Sequence, residues 1–107
     1  MNINDVLQKF IALLEDEKYF EAHNALEPLW LKMKKEHHPY TNLARGLINA
    51  AVAFEHLKRD TPTAMNKAQK TFAGYMKYRH MCDDGDCYFK LACKKADDIA
   101  TRAELLP

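Results

Sequence analysis

A chain of 107 residues can bury one hydrophobic core but not two, and its formal charge of +1 creates no overall field toward nucleic acid or an anionic membrane. A hydrophobic share of 48% and a charged share of 29% exclude the collagen-like and disordered classes. Gly occurs only 3 times, so long periodic runs go unbroken and read as helices; a sandwich or barrel needs a turn signal every ~8 to 12 residues.

Residues Met1 to Asp5 contain no basic segment leading into an apolar run, and no stretch approaches the roughly 18 apolar residues of a membrane helix. A cytoplasmic address with no membrane partner is expected. The 3 cysteines, Cys82, Cys87 and Cys93, are odd in number and gathered in one region, which predicts reduced thiols rather than a secreted disulfide framework.

In chain order, Leu7, Phe10, Ile11 and Leu14 place one apolar face on a helix from about Asn4 to Glu15, with Asn4 and Asp5 available as caps. A second helix is predicted from Lys18 to Lys35, its stripe formed by Tyr19, Ala22, His23, Leu26, Trp30 and Met33. Pro28 inside it removes the bond to the Asn24 carbonyl and predicts a kink beside His23 and Glu27. After Glu36-His37-His38-Pro39, the run from Leu43 to Lys58 is apolar nearly all round and predicts the central helix, with Arg45, Asn49, Val52 and His56 as a polar line along it.

Lys58 and Arg59 suit a helix C-terminus, and Asp60 or Thr61 before Pro62 predicts the start of a fourth helix. Met65, Ala68, Phe72, Tyr75, Met76 and Arg79 would form its inner side. Asp86 is expected to cap a last helix whose face is Phe89, Ala92, Cys93, Ala96, Ile99 and Ala100. The fold class is therefore all-α, an antiparallel bundle of about five helices in a single domain over residues 1–107.

Tyr19-Phe20-Glu21-Ala22-His23, Leu26-Glu27 and Leu29-Trp30, followed by Gly46 to Ala51 and His56-Leu57, form a pattern that resembles the domain of unknown function 309 family. The resemblance covers residues 15–64 and leaves 65–107 as a helical extension. It implies an all-α fold and brings no established activity, and its signature polar residues fall on Glu21, His23, Glu27, Asn49 and His56. The chain departs from the family pattern at Asn24, Pro28 and Asn49.

The six candidate site residues are Glu21, His23, Glu27, Trp30, Asn49 and His56, between the second and third helices. The first expectation is a binding module or scaffold in which this polar cluster is mainly structural, since buried polar groups are kept where they are paired. The second is a small-molecule or divalent-metal site, with hydrolytic chemistry, at the same place; His23 and Glu27 at i and i+4 would ligate with His56 or Glu21 as the third ligand. No cofactor is otherwise implied. Nucleic acid would rest on the fourth-helix lysines beside Tyr75 and Tyr78, and the nearby acidic turn argues against it.

A homo-oligomer is compatible with the composition. Zinc at His80, Cys82, Cys87 and Cys93 has poor spacing, and Asp83, Asp84 and Asp86 read as a solvated turn rather than a calcium loop. No serine–histidine–acid set or glycine-rich phosphate loop is present, so a catalytic reading depends on the His23 region alone.

Overall fold

The computed structural model describes residues 2–84 and 86–106. Its helices are α1 (Ile3–Glu15), α2 (Tyr19–Lys35), α3 (Thr41–Arg59), α4 (Ala64–Tyr78) and α5 (Cys87–Arg102), with a 3₁₀ segment, Arg79–Asp84, before α5. The all-α bundle expected from periodicity is the architecture observed.

The cap of α1 is Asn2 rather than Asn4 or Asp5: its side chain accepts from the Asn4 and Asp5 amides at 2.9 and 3.2 Å. Helix α2 runs on through Pro28. Asn24 and Pro28 both lie on its exposed side, where water can serve the carbonyl that proline leaves unpaired. With so few glycines, helices end on ordinary residues in the left-handed region: Glu17, His37, Asp60 and Glu104 have φ of 59°, 54°, 53° and 64°. After α1, α2 and α5 the next amide turns back to the helix, Lys18 to Leu13, His38 to Met33 and Leu105 to Ala100, which satisfies carbonyls the helix end would orphan.

Helix α3 buries Leu43, Ala44, Gly46, Leu47, Ile48, Ala50, Ala51, Ala53 and Phe54, which makes it the central rod as expected. It packs most extensively against α4 and next against α2, while α1 packs on α2 and α5. The two shorter dimensions of the molecule, 24 and 22 Å, correspond to two helix diameters. Helices α2, α3 and α4 thus form one layer, with α1 and α5 behind it.

Asp60 ends α3 instead of starting α4, which begins after a Thr61-to-Ala64 turn. The buried face of α4 is Ala64, Ala68, Phe72 and Tyr75; Met65 and Met76 remain 39% and 41% exposed, one step round from the predicted side. At this seam Gly46 faces the backbone of Gly74 and Tyr75, which lets α4 approach α3 closely. Helix α5 matches its prediction, with Asp86 accepting from the Phe89 amide at 3.1 Å and all six face residues buried.

The expectation of reduced thiols is overturned, since Cys82 and Cys93 form a disulfide while Cys87 is free and exposed. The 3₁₀ segment folds back over α5 and brings the two Cα atoms to 6.2 Å, within bridging range. Zinc ligation by this pair is removed with it. A row of aromatic rings, Tyr19–Phe54–Phe72–Tyr75, with centroids 5.5, 6.1 and 5.2 Å apart, crosses the front layer. Among the described residues, no helix is long and apolar enough to cross a membrane.

Candidate functional site

Helices α2 and α3 run antiparallel, so the start of α2 lies beside the end of α3. On α2, Tyr19, Phe20 and His23 share this side; on α3, Val52, Glu55, His56 and Arg59 follow at steps of three, one and three residues, which keeps them on one helical face. Together they line a cleft of about 160 Å³. Its inner wall is apolar, and both imidazoles reach it from different helices.

Tyr19 is buried, and that burial, followed by the nearby Glu17 carboxylate, raises its phenol above the ordinary tyrosine range. Lys58 holds the Tyr19 end of the cleft by donating to the Glu17 carbonyl at 2.7 Å and lying 5.9 Å over the Tyr19 ring. Phe20 is 51% exposed and meets His23 edge-on at 6.2 Å. At the rim, Arg59 and Glu55 approach to 3.6 Å. A cleft with apolar walls and a few polar groups at its mouth is the usual form of a small-ligand site.

His23 and His56 are the two predicted residues that line the cleft. Glu27 joins indirectly, pairing its Oε2 with His23 Nε2 at 2.9 Å. That pair lies on the surface of one helix, with side chains 26% and 48% exposed, so His23 is half-buried rather than mostly buried and does not bridge helices through this bond. Glu21 is exposed outside the lining. Asn49 turns instead toward α4, where it packs directly on Gly74.

The stripe predicted for the second helix would bury Trp30, but it is half-buried at the edge of the core. It lies at the margin of α2's buried face, and Lys34 and Arg45 each approach its ring centroid at 5.4 Å. The six candidates therefore occupy separate places along the α2–α3 face. Among the described residues, no three His, Cys, Asp or Glu side chains gather closely enough to hold a metal ion.

Phe20, Val52, Glu55 and Arg59 were not singled out as site residues. Their signal was present in the helical spacing of 52, 55, 56 and 59 opposite 20 and 23. A larger open cleft of about 760 Å³ lies between the α1–α2 turn and α5, where Lys95 and Glu15 already pair at 3.4 Å. One ion pair already joins its two sides, whereas the smaller cleft presents an apolar wall to solvent.

The family model described as "Domain of unknown function (DUF309)" matches residues 7–68. That span takes in most of α1, which the motifs alone had left out, and all of α2 and α3, with the whole cleft inside it. No curated protein and no solved structure matches the chain. Because the family match covers more than half of the sequence, and the helices that build the cleft fall within it, the chain belongs to this family of unknown function.

Proposed function

We propose that this protein is a small binding module that takes one compact aromatic ring in the cleft between α2 and α3. The supporting observation is the cleft's size and lining together. At about 160 Å³ it is close to the roughly 150 Å³ of an apolar cavity that accepts benzene. Phe20 and Tyr19 offer ring faces and edges, Val52 an aliphatic wall, and His23, His56 and Arg59 polar contacts for a substituent on the bound ring. In this reading the His23–Glu27 pair orients an imidazole at the rim. A divalent metal is not favoured, because these two donors engage each other and, among the described residues, no third donor joins them.

Titration with phenol and with benzoate, followed by NMR of the His23, His56 and Phe20 side chains, tests the reading. All three should shift on one saturating curve with a dissociation constant on the order of 1 mM or tighter. Val52→Phe, which fills the cleft, should abolish the shifts while leaving the fold intact. Shifts that never saturate, or that persist in Val52→Phe, would place the ligand elsewhere.

A further inference from the structure

The two sulfurs of the Cys82–Cys93 bond are not equivalent. Cys93 is 2% exposed on the packed face of α5, while Cys82 is half-buried and lines an open cleft of about 470 Å³. The same cleft is lined by Met76, Arg79, His80, Asp83 and Asp97, so it presents charged or ionisable groups of both signs around one accessible sulfur. Arg79 is fixed there by two 3.0 Å hydrogen bonds to Asp97. His80 and Asp83 stand exposed at the mouth.

We propose that Cys82 is a thiol-exchange site at which a low-molecular-weight aminothiol, bearing both an ammonium and a carboxylate group, opens the Cys82–Cys93 disulfide. A thiolate attacks a disulfide along the S–S axis, with the leaving sulfur behind the attacked one. Entry from the cleft meets Cys82 first and leaves Cys93 on the buried side, which is the arrangement this displacement needs. Beside the Arg79–Asp97 pair, Asp83 is placed to meet the ammonium and His80 the carboxylate of the incoming thiol.

The thiol loses its proton to water, and its sulfur bonds to Cys82 Sγ as the bond to Cys93 breaks. Cys93 leaves as a thiolate and takes a proton from water. A second thiolate attacks the added sulfur, releasing the Cys82 thiolate and the small-molecule disulfide. Two thiols are thus oxidised by two electrons in all, and one protein disulfide is reduced. The 3₁₀ segment has no fully buried side chain, so once the bond opens it keeps the Arg79–Asp97 pair as a tie to α5 and loses its covalent one.

The test uses the whole oxidised chain carrying Cys87→Ser, so that only the bonded pair reports. Exposure of the folded protein to reduced glutathione, acid quenching, alkylation and peptide mass spectrometry should find glutathione on Cys82 and the alkyl group on Cys93. An adduct on Cys93, equal labelling of both, opening only after urea unfolding, or free thiols at the start would each overturn the proposal. A second measurement compares the opening rates with glutathione and with 2-mercaptoethanol. That ratio should fall about fivefold in the variant His80→Ala, Asp83→Ala, as expected for losing exposed charge contacts. An unchanged ratio would overturn the recognition by charge.

Discussion

Tyr75 is fully buried, yet its hydroxyl keeps two partners, donating to Asp97 Oδ1 at 2.7 Å and reaching the Cys93 carbonyl at 3.2 Å. Burial first, and then the bond to the Asp97 carboxylate, push its phenol far above the ordinary value near 10. Below that pH both folded and unfolded chains keep the proton. Above it the unfolded chain loses the proton and the folded one does not, so stability is whole below pH ~10 and falls as pH rises.

Urea unfolding between pH 7 and 11 should therefore show a decline on the alkaline side that is shallower in Tyr75→Phe. At pH 7 that variant should cost about 1 to 2 kcal/mol for the lost hydrogen bonds. Equal alkaline slopes in the two proteins would remove Tyr75 as the source. The place of Tyr75 on the inner side of its helix was legible in the sequence, but its partner was not, because Asp97 lies 22 residues away and no local spacing ties the two. His23 and Glu27, four residues apart, were legible as a pair. The exposure of that pair was not, since it depends on where α3 lies.

At the scale of helices, the contact between α3 and α4 is set by glycine on both sides. A Cβ on Gly46 would sit 3.3 Å from the Tyr75 Cα, and one on Gly74 would meet the side-chain Nδ2 of Asn49 at 2.3 Å. Because the Asn49 side chain has to turn aside, Gly74→Ala should then destabilise by about 1 kcal/mol, the low end of the cost of overpacking. In an Asn49→Ala background the obstruction is gone, and the same change should stabilise by up to about 1 kcal/mol through helix propensity. A double-mutant cycle by chemical denaturation reads the reversal of sign. Additive effects would mean that Asn49 does not fill the space over Gly74.

The faces of α3 and α5 were readable because their apolar residues repeat without competition. Helix α4 was misjudged by one step because Met65 and Met76 outweigh Ala64 in hydrophobicity, and hydrophobicity alone does not decide which of two neighbouring positions turns inward. The disulfide escaped for a related reason. Cysteine count and clustering describe the chain, whereas bridging depends on the 3₁₀ segment folding back onto α5.

Across the molecule, the fold's class and central helix were written in the periodicity, but the cleft was legible only in part. His23 and His56 marked its two walls, whereas Glu21 is exposed on α2, Trp30 meets Lys34 and Arg45, and Asn49 turns to α4. The family span of residues 7–68 ends early in α4, so most of α4 and all of α5 lie beyond it. That outer portion carries both bonded cysteines and the Tyr75–Asp97–Arg79 cluster.

The layer order bears on the path of folding. Three of the main packings, α1 on α2, α2 on α3 and α3 on α4, join helices that are neighbours in sequence, while α1 on α5 joins the two ends of the chain. Neighbouring helices close short loops and can dock early, whereas bringing α1 to α5 costs the entropy of closing nearly the whole chain. In native-state hydrogen exchange, amides of α1 should therefore open at lower free energy than those of α3, as a separate unit. Exchange of α3 before α1 would show that the seam between the chain's ends is not the weakest in the bundle.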